Sequence, residues 1–280
     1  MRFGGLFIFA VGAQGFFLGE RPPTSFRLTW KNSRSRERIS PPLLLLKHRP
    51  TSTAVVWDLE MAAAAAGAAA QNSRQRVGKL LAEKTVFFEC DIQERFRDLI
   101  YNMPSVISTA KFLLEVSKEL DVPCVATEQY PKALLHTVQE LNIGEEPDKI
   151  DAKIFEKKLF SMCTDEVKTH VANGLPNGKP TDVVLFGIEA HVCVTQTCLD
   201  LLALDYGVHV VCDGVSSQKP HDRAVALERM QRAGAFLTTA EQVTFQLLGT
   251  ADHTNFKAVS NLVKRRNKEG VNSFSAMSTL

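Results

Sequence analysis

Cys193 lies in the run Thr181 to Leu202, T-D-V-V-L-F-G-I-E-A-H-V-C-V-T-Q-T-C-L-D-L-L. The apolar, β-branched stretch Val183 to Phe186 reads as a strand buried on both faces. Gly187 breaks it, and Val194, Thr197, Cys198, Leu201 and Leu202 then recur at helical spacing. A thiol at the start of a helix meets free N–H groups and the positive end of the helix dipole, which favour the thiolate, the reactive nucleophile. The competing reading is a small core residue, the usual fate of a free cysteine. Two further groups could serve that thiol. Asp91, in C-D-I-Q-E-R-F, is either a turn cap or a general base that takes a proton from the thiol and passes it to a leaving group. Lys157-Lys158 precedes Leu159-Phe160-Ser161. One ammonium turned inward would hold Asp91 ionised and favour the thiolate, while the other is solvated.

The elements that would position these groups alternate. Thr85 to Cys90, Val122 to Thr127, Val183 to Phe186, Val208 to Cys212 and Ala235 to Thr238 read as strands. Helical stripes fall on Pro104 to Leu120, Thr164 to Ala172, the stretch after Cys193, Pro220 to Arg232, Thr239 to Leu248 and Asn255 to Lys264. Glu128 to Phe160 is irregular, as expected of a segment that shapes a pocket. Strands separated by helices predict an α/β fold: a three-layer, doubly wound, mostly parallel sheet of Rossmann-like type. In such sheets ligands bind beyond the carboxyl ends of the strands. Asp91, Glu128 and Cys193 each follow a strand. The topology therefore brings scattered residues to one edge.

The remaining composition bounds the class. A chain of 280 residues with 45% hydrophobic content holds a full core. The net charge of +2, without a basic stripe interleaved with aromatics, points away from nucleic acid. The six cysteines, Cys90, Cys124, Cys163, Cys193, Cys198 and Cys212, form no C-x-x-C pair and read as reduced thiols of a cytoplasmic protein. The first sixty residues differ from the rest. Arg2 precedes a glycine-studded apolar run from Phe3 to Leu18, too short to span a bilayer comfortably, and Arg21 to Pro50 is rich in Arg, Ser and Pro with Glu37 as its only acid. A secretory signal with Val11-Gly12-Ala13 as cleavage site, an organellar (mitochondrial) transit peptide and a true start at Met61 compete. The last is favoured, with residues 1–78 outside the fold, a domain over 79–264 and a mobile polar tail over 265–280. Ser278-Thr279-Leu280 is a weak peroxisome-like ending.

From Lys84 to Leu262 the chain resembles the isochorismatase-like cysteine hydrolases, including the animal isochorismatase domain-containing proteins. C-D-I-Q-E-R-F, T-E-Q-Y-P, K-K-L-F-S-M, F-G-I-E-A-H-V-C-V and D-R-A-V-A-L-E-R-M-Q-R-A-G-A-F-L-T-T-A-E carry the resemblance in order. It implies a triad of Asp91, Lys157 (in the pattern K-x-x-aromatic-Ser) and Cys193, with Lys158 as the exposed neighbour. It also implies a cis peptide between Ile188 and Glu189, so that the N–H groups of Glu189 and Cys193 form an oxyanion hole. Phe96 and Tyr130 are candidate pocket walls by position, and His191 has at most a minor role. Isochorismatases of this family carry glycine at the position of Cys193, so the retained thiol points to amide-type hydrolysis. Family nicotinamidases bind a metal through D-x-H, whereas Thr127-Glu128-Gln129-Tyr130-Pro131 lacks it, so neither a metal nor another cofactor is expected. The expected activity is hydrolysis of a small amide through a thioester, with a small molecule as partner, neither nucleic acid nor membrane, and a homo-oligomeric state as in relatives. The alternative is a catalytically silent fold serving as a protein-interaction module. A dinucleotide-binding dehydrogenase is set aside because no G-x-G-x-x-G occurs.

Overall fold

The structure, a computed structural model, describes residues 77–144 and 149–270. The proposed leader, the Met61 start and the end of the tail lie outside those residues. In chain order the elements are β1 (Thr85–Cys90), α1 (Met103–Glu119), β2 (Cys124–Gln129), α2 (Pro131–Leu134), β3 (Ile143–Gly144), β4 (Ile150–Lys157), α3 (Asp165–Asn173), β5 (Asp182–Ile188), α4 (Thr195–Ala203), β6 (Gly207–Ser216), α5 (Pro220–Arg232), β7 (Phe236–Thr238), α6 (Ala240–Leu248) and α7 (Phe256–Glu269). The seven strands form one parallel sheet in the order β3-β4-β2-β1-β5-β6-β7.

The sheet is covered on both faces, which is why β1 and β5 read as unbroken apolar runs with every residue buried. Phe87, Ala126 and Phe186 face a layer built from α1, α6 and α7, where Val106, Leu113, Val243 and Val259 pack. Phe88, Val183 and Leu185 face α3, α4 and α5, through Val167, Leu201 and Met230. From β1 the chain winds outward through β2 to β4, then returns to the other side of β1 as β5. The switch in strand order therefore falls between β1 and β5, opening a crevice at their carboxyl ends. Gly187 sits at that edge opposite Cys90, with φ at +121°, and a Cβ there would lie 2.1 Å from the Cys90 carbonyl oxygen. Only glycine lets the two strand ends approach so closely.

Several features differ from the expectation: β5 runs on through Gly187 to Ile188 and is not broken there, and β6 continues past Cys212 to Ser216. The irregular segment contains β4, whose sequence I-D-A-K-I-F-E-K alternates with polar and exposed positions and so lacks the apolar run of a buried strand. The polar tail begins later than residue 265: α7 continues to Glu269. Arg266 explains the extension, since it donates to Asp213 Oδ2 at 2.7 Å and to Thr109 Oγ1 at 2.8 Å and lies over the Phe112 ring. Arg265 pairs with Glu115. Among the described residues no helix is long and apolar enough to cross a membrane.

Candidate active site

The carboxyl ends of β1, β2, β4 and β5 supply the site. Asp91 follows β1 in the left-handed region, φ +54°, a conformation Asp tolerates better than most side chains. The turn is closed by the Gln93 N–H, which donates to the Asp91 carbonyl at 2.8 Å. Lys157 ends β4, and its Nζ donates to Asp91 Oδ2 at 2.7 Å, to Gln129 Oε1 at 2.8 Å and to the Phe160 carbonyl at 3.0 Å. All three ammonium hydrogens are thus engaged, and the pair's side chains are 0% and 2% exposed. Thr127 Oγ1 donates to the other Asp91 oxygen at 2.8 Å. Cys90 Sγ donates to Asp91 Oδ2 at 3.6 Å, and the buried Cys193 thiol couples electrostatically to Cys90, Asp91 and Lys157. Of the three residues singled out in the sequence, Asp91 and Lys157, 66 positions apart, are joined directly, and Cys193 lies within electrostatic reach of both.

Electrostatics follow from this burial. Desolvation pushes the Asp91 carboxyl above its ordinary value, opposed by the charge and hydrogen bond of Lys157 and by Thr127 and Cys193. Burial alone would depress Lys157, but negative charge at Cys90, Asp91 and Cys193 outweighs it and holds the ammonium above its ordinary value. The five other thiols are pushed up chiefly by burial, Cys163 to about 11 and Cys198 to about 12, with Cys90, Cys124 and Cys212 also raised.

Cys193 lies in a π-helical turn, Ala190–Val194, between β5 and α4, and not in the first turn of the α-helix itself. The Val192 and Val194 N–H groups donate to the Glu189 carbonyl, at 3.0 and 3.2 Å. Thr197 Oγ1 donates to the Cys193 carbonyl at 2.7 Å and accepts from the Met162 N–H at 2.8 Å, tying the turn to the segment after Lys157. The Ile188–Glu189 peptide bond is cis. The Glu189 carboxylate accepts from the Gln218 N–H at 2.9 Å, and His191 Nδ1 lies 2.9 Å from Ser217 Oγ. Phe96 packs against the core layer of α1, while Tyr130 is exposed with the Lys158 ammonium 5.5 Å from its ring centre. Lys158 is therefore the outer lysine of the pair.

Sequence reading missed Thr127, Gln129 and Gln93. Gln93 donates to the carbonyls of Gln129 and Leu135 and accepts from the Gln129 N–H, locking the loop after β2 against the turn after β1. The signal was the T-E-Q run at the end of β2, but its use depends on β2 lying beside β1, with Cys90 opposite Thr127. Among the described residues no group of three His, Cys, Asp or Glu side chains could hold a metal ion.

A parallel, doubly wound α/β sheet with a crevice at its switch point defines the class: a hydrolase of isochorismatase-like fold. The sequence model of the isochorismatase domain matches residues 85–242, and the chain belongs to this family. It is 43% identical over 190 residues to isochorismatase family protein 1B of Dictyostelium discoideum, covering 68% of this chain and 91% of that protein. It is 43% identical over 201 residues to the secreted isochorismatase effector Isc1 of Phytophthora sojae, covering 72% of this chain and 94% of the relative. The solved structure of the MAR1 ribonuclease from Caenorhabditis elegans superposes with a TM-score of 0.62 at 38% identity, over 72% of this chain and 97% of that one.

Proposed function

We propose that the protein is a metal-independent cysteine hydrolase that cleaves a small amide-type substrate through Cys193, Asp91 and Lys157. The observation that carries this reading is a solvent-excluded Lys157–Asp91 ion pair with the buried Cys193 thiol coupled electrostatically to both groups. An acid and base are thereby within reach of a nucleophile. Cys193 gives its proton to Asp91 and its sulfur attacks the carbonyl carbon. The N–H groups of Glu189 and Cys193 receive the developing oxyanion. Asp91 hands the proton to the departing amine as the C–N bond breaks. Water, deprotonated by Asp91, then opens the thioester and the proton returns to the thiolate. Lys157 keeps its charge throughout and steadies that of Asp91.

The test combines alkylation with turnover. Site-resolved iodoacetamide labelling should find Cys193 reacting faster than the five thiols raised by burial. A screen of small primary amides should yield a substrate whose turnover is abolished by each of Cys193→Ala, Asp91→Ala and Lys157→Ala. Turnover surviving in Cys193→Ala would sink the mechanism. The Caenorhabditis elegans relative is described as a ribonuclease, so a single-stranded RNA belongs in the same screen. Cleavage of RNA, lost with Asp91→Ala, would replace the amide reading. Binding partners captured unchanged by Cys193→Ala, with no substrate found, would favour an interaction module.

Exposed Tyr130, Leu135, Leu159 and Phe160 lie on segments next to Lys157 and Gln93, and we infer that a second copy of the chain covers them. Light scattering of the unaltered protein and of Leu159→Lys reads this directly. All six cysteines are free, which suits a reducing compartment such as the cytoplasm. Microscopy of fluorescent fusions of the full chain and of one starting at Met61 decides among cytoplasm, mitochondrion, peroxisome and secretion.

A further inference from the structure

Glu89 is a carboxylic acid placed inside an apolar layer. It lies on β1 with no solvent exposure. Strand alternation puts it on the Phe87 side, in register with Ala126 of β2 and Phe186 of β5. A carboxyl group is costly to bury, and an aliphatic side chain would pack there without that cost. Its Oε1 accepts the Ile92 N–H at 2.9 Å, and Oε2 has no hydrogen-bond partner among the described residues. Ile92 directly follows Asp91, whose positive φ makes the turn that aims its carboxylate.

We propose that Glu89 is a positioning residue: its carboxyl group clamps the Ile92 N–H and so sets the turn that presents Asp91 to Lys157 and Cys193. The clamp works with the acid uncharged. Burial raises Glu89 from 4.5 to about 8 against the opposing Ile92 N–H, with Asp91 and Glu128 adding to the rise and Lys157 reducing it. The titratable groups that face it are these three and Cys124 of β2, whose thiol it pushes up. β5 offers Phe186 at this level, and the buried residues of α1 include none that titrates. Glu128 is already satisfied by the Thr137 N–H and hydroxyl and by His136. Lys157 is committed to Asp91. A neutral Glu89 therefore keeps an acceptor on Ile92 without competing for that ammonium. As the pH rises through about 8 the acid ionises, and the buried charge, whose desolvation outweighs the Ile92 N–H bond, loosens the Asp91 turn.

The inference rests on the proposed hydrolase reading only where Cys193 reactivity is measured; the Ile92 amide reports on the clamp by itself. Glu89→Gln, Glu89→Leu and the unaltered full chain are compared by NMR hydrogen exchange at Ile92 and by iodoacetamide alkylation of Cys193, from about pH 6 to 9. Glu89→Leu should speed Ile92 exchange about tenfold, the loss of one hydrogen bond, and change the Cys193 rate. Glu89→Gln, which keeps a carbonyl acceptor, should restore both. Above about pH 8 the unaltered protein should lose Ile92 protection that Glu89→Gln retains. Unchanged Ile92 exchange in Glu89→Leu overturns the proposal, as does a Glu89→Gln variant impaired like Glu89→Leu. If Glu89→Leu does not fold, identical pH dependence in Glu89→Gln and the unaltered protein overturns it. Fast Ile92 exchange in Glu89→Leu with an inert Cys193 throughout upholds the clamp and counts against the hydrolase.

Discussion

Replacing Lys157 by methionine removes the ammonium while keeping most of the side-chain length. Asp91 would then hold a carboxylate that is 2% exposed, stripped of its 2.7 Å partner on Oδ2 and left with Thr127 on Oδ1 and the weak Cys90 thiol donor, at 3.6 Å, on Oδ2. Removing one member of a buried pair costs about 3–5 kcal/mol, because the other charge remains out of water. At about 2–4 °C per kcal/mol for a fold of this size, Tm should fall by about 6–20 °C. The loss depends on pH. Without Lys157 the folded-state pKa of Asp91 rises well above its unfolded value of about 3.9, so the folded protein takes up a proton. Stability is then fully present below the unfolded pKa and is lost as pH climbs through the folded one. The deficit relative to the unaltered protein should be small near pH 5 and largest near pH 8, read by urea denaturation across that range. Adding Asp91→Asn removes the stranded charge and should recover most of the stability without recovering Cys193 alkylation. A Lys157→Met deficit below about 1 kcal/mol and flat with pH, or a double variant no more stable than the single one, would refute the electrostatic account.

The remaining expectations use the same measurements. Gly187→Ala forces a Cβ to within 2.1 Å of the Cys90 carbonyl at φ +121°, so it should cost about 3 kcal/mol or more and slow Cys193 alkylation by displacing the end of β1. Thr127→Val leaves Asp91 Oδ1 without its donor and should cost about 1–3 kcal/mol in urea melts, with a larger deficit at pH 8 than at pH 5. Glu89 gives the widest pH signal: its rise from 4.5 to about 8 corresponds to about 5 kcal/mol. That stability is present below the unfolded pKa and lost between the two values, so Glu89→Gln should gain on the unaltered protein as pH increases. Arg266→Ala breaks the bonds to Asp213 and Thr109 that fasten α7 and should lower stability by about 1–3 kcal/mol.

Local pattern was enough to read most elements. Thr85–Cys90 and Pro220–Arg232 stand where the β-branched run and the helical stripe predict them, because burial on two faces or on one stripe writes its period directly into the sequence. β4 escaped because half of its residues face outward, so its alternation is polar and resembles a loop. The end of α7 escaped for a related reason: K-R-R-N-K-E looks solvated, yet Arg266 lies against Phe112 and Asp213.

For the candidate site, the linear chain supplied the inventory: a thiol after the central strand, an acid after β1, a lysine pair before Phe160, and a glycine after the central apolar run. Tertiary structure alone decided who meets whom. Thr127 reaches Asp91 because β2 lies beside β1, and Lys157 reaches it because β4 is the next strand out. That order is set by packing of the whole sheet, and no local window of sequence encodes it. Glu89 shows the point most sharply. Its residue type could be read from the chain, but its chemistry depends on apolar neighbours that belong to β2, β5 and α1. Removing water from around a carboxyl group is a property of the assembled core, and that desolvation turns an ordinary acid into an uncharged clamp.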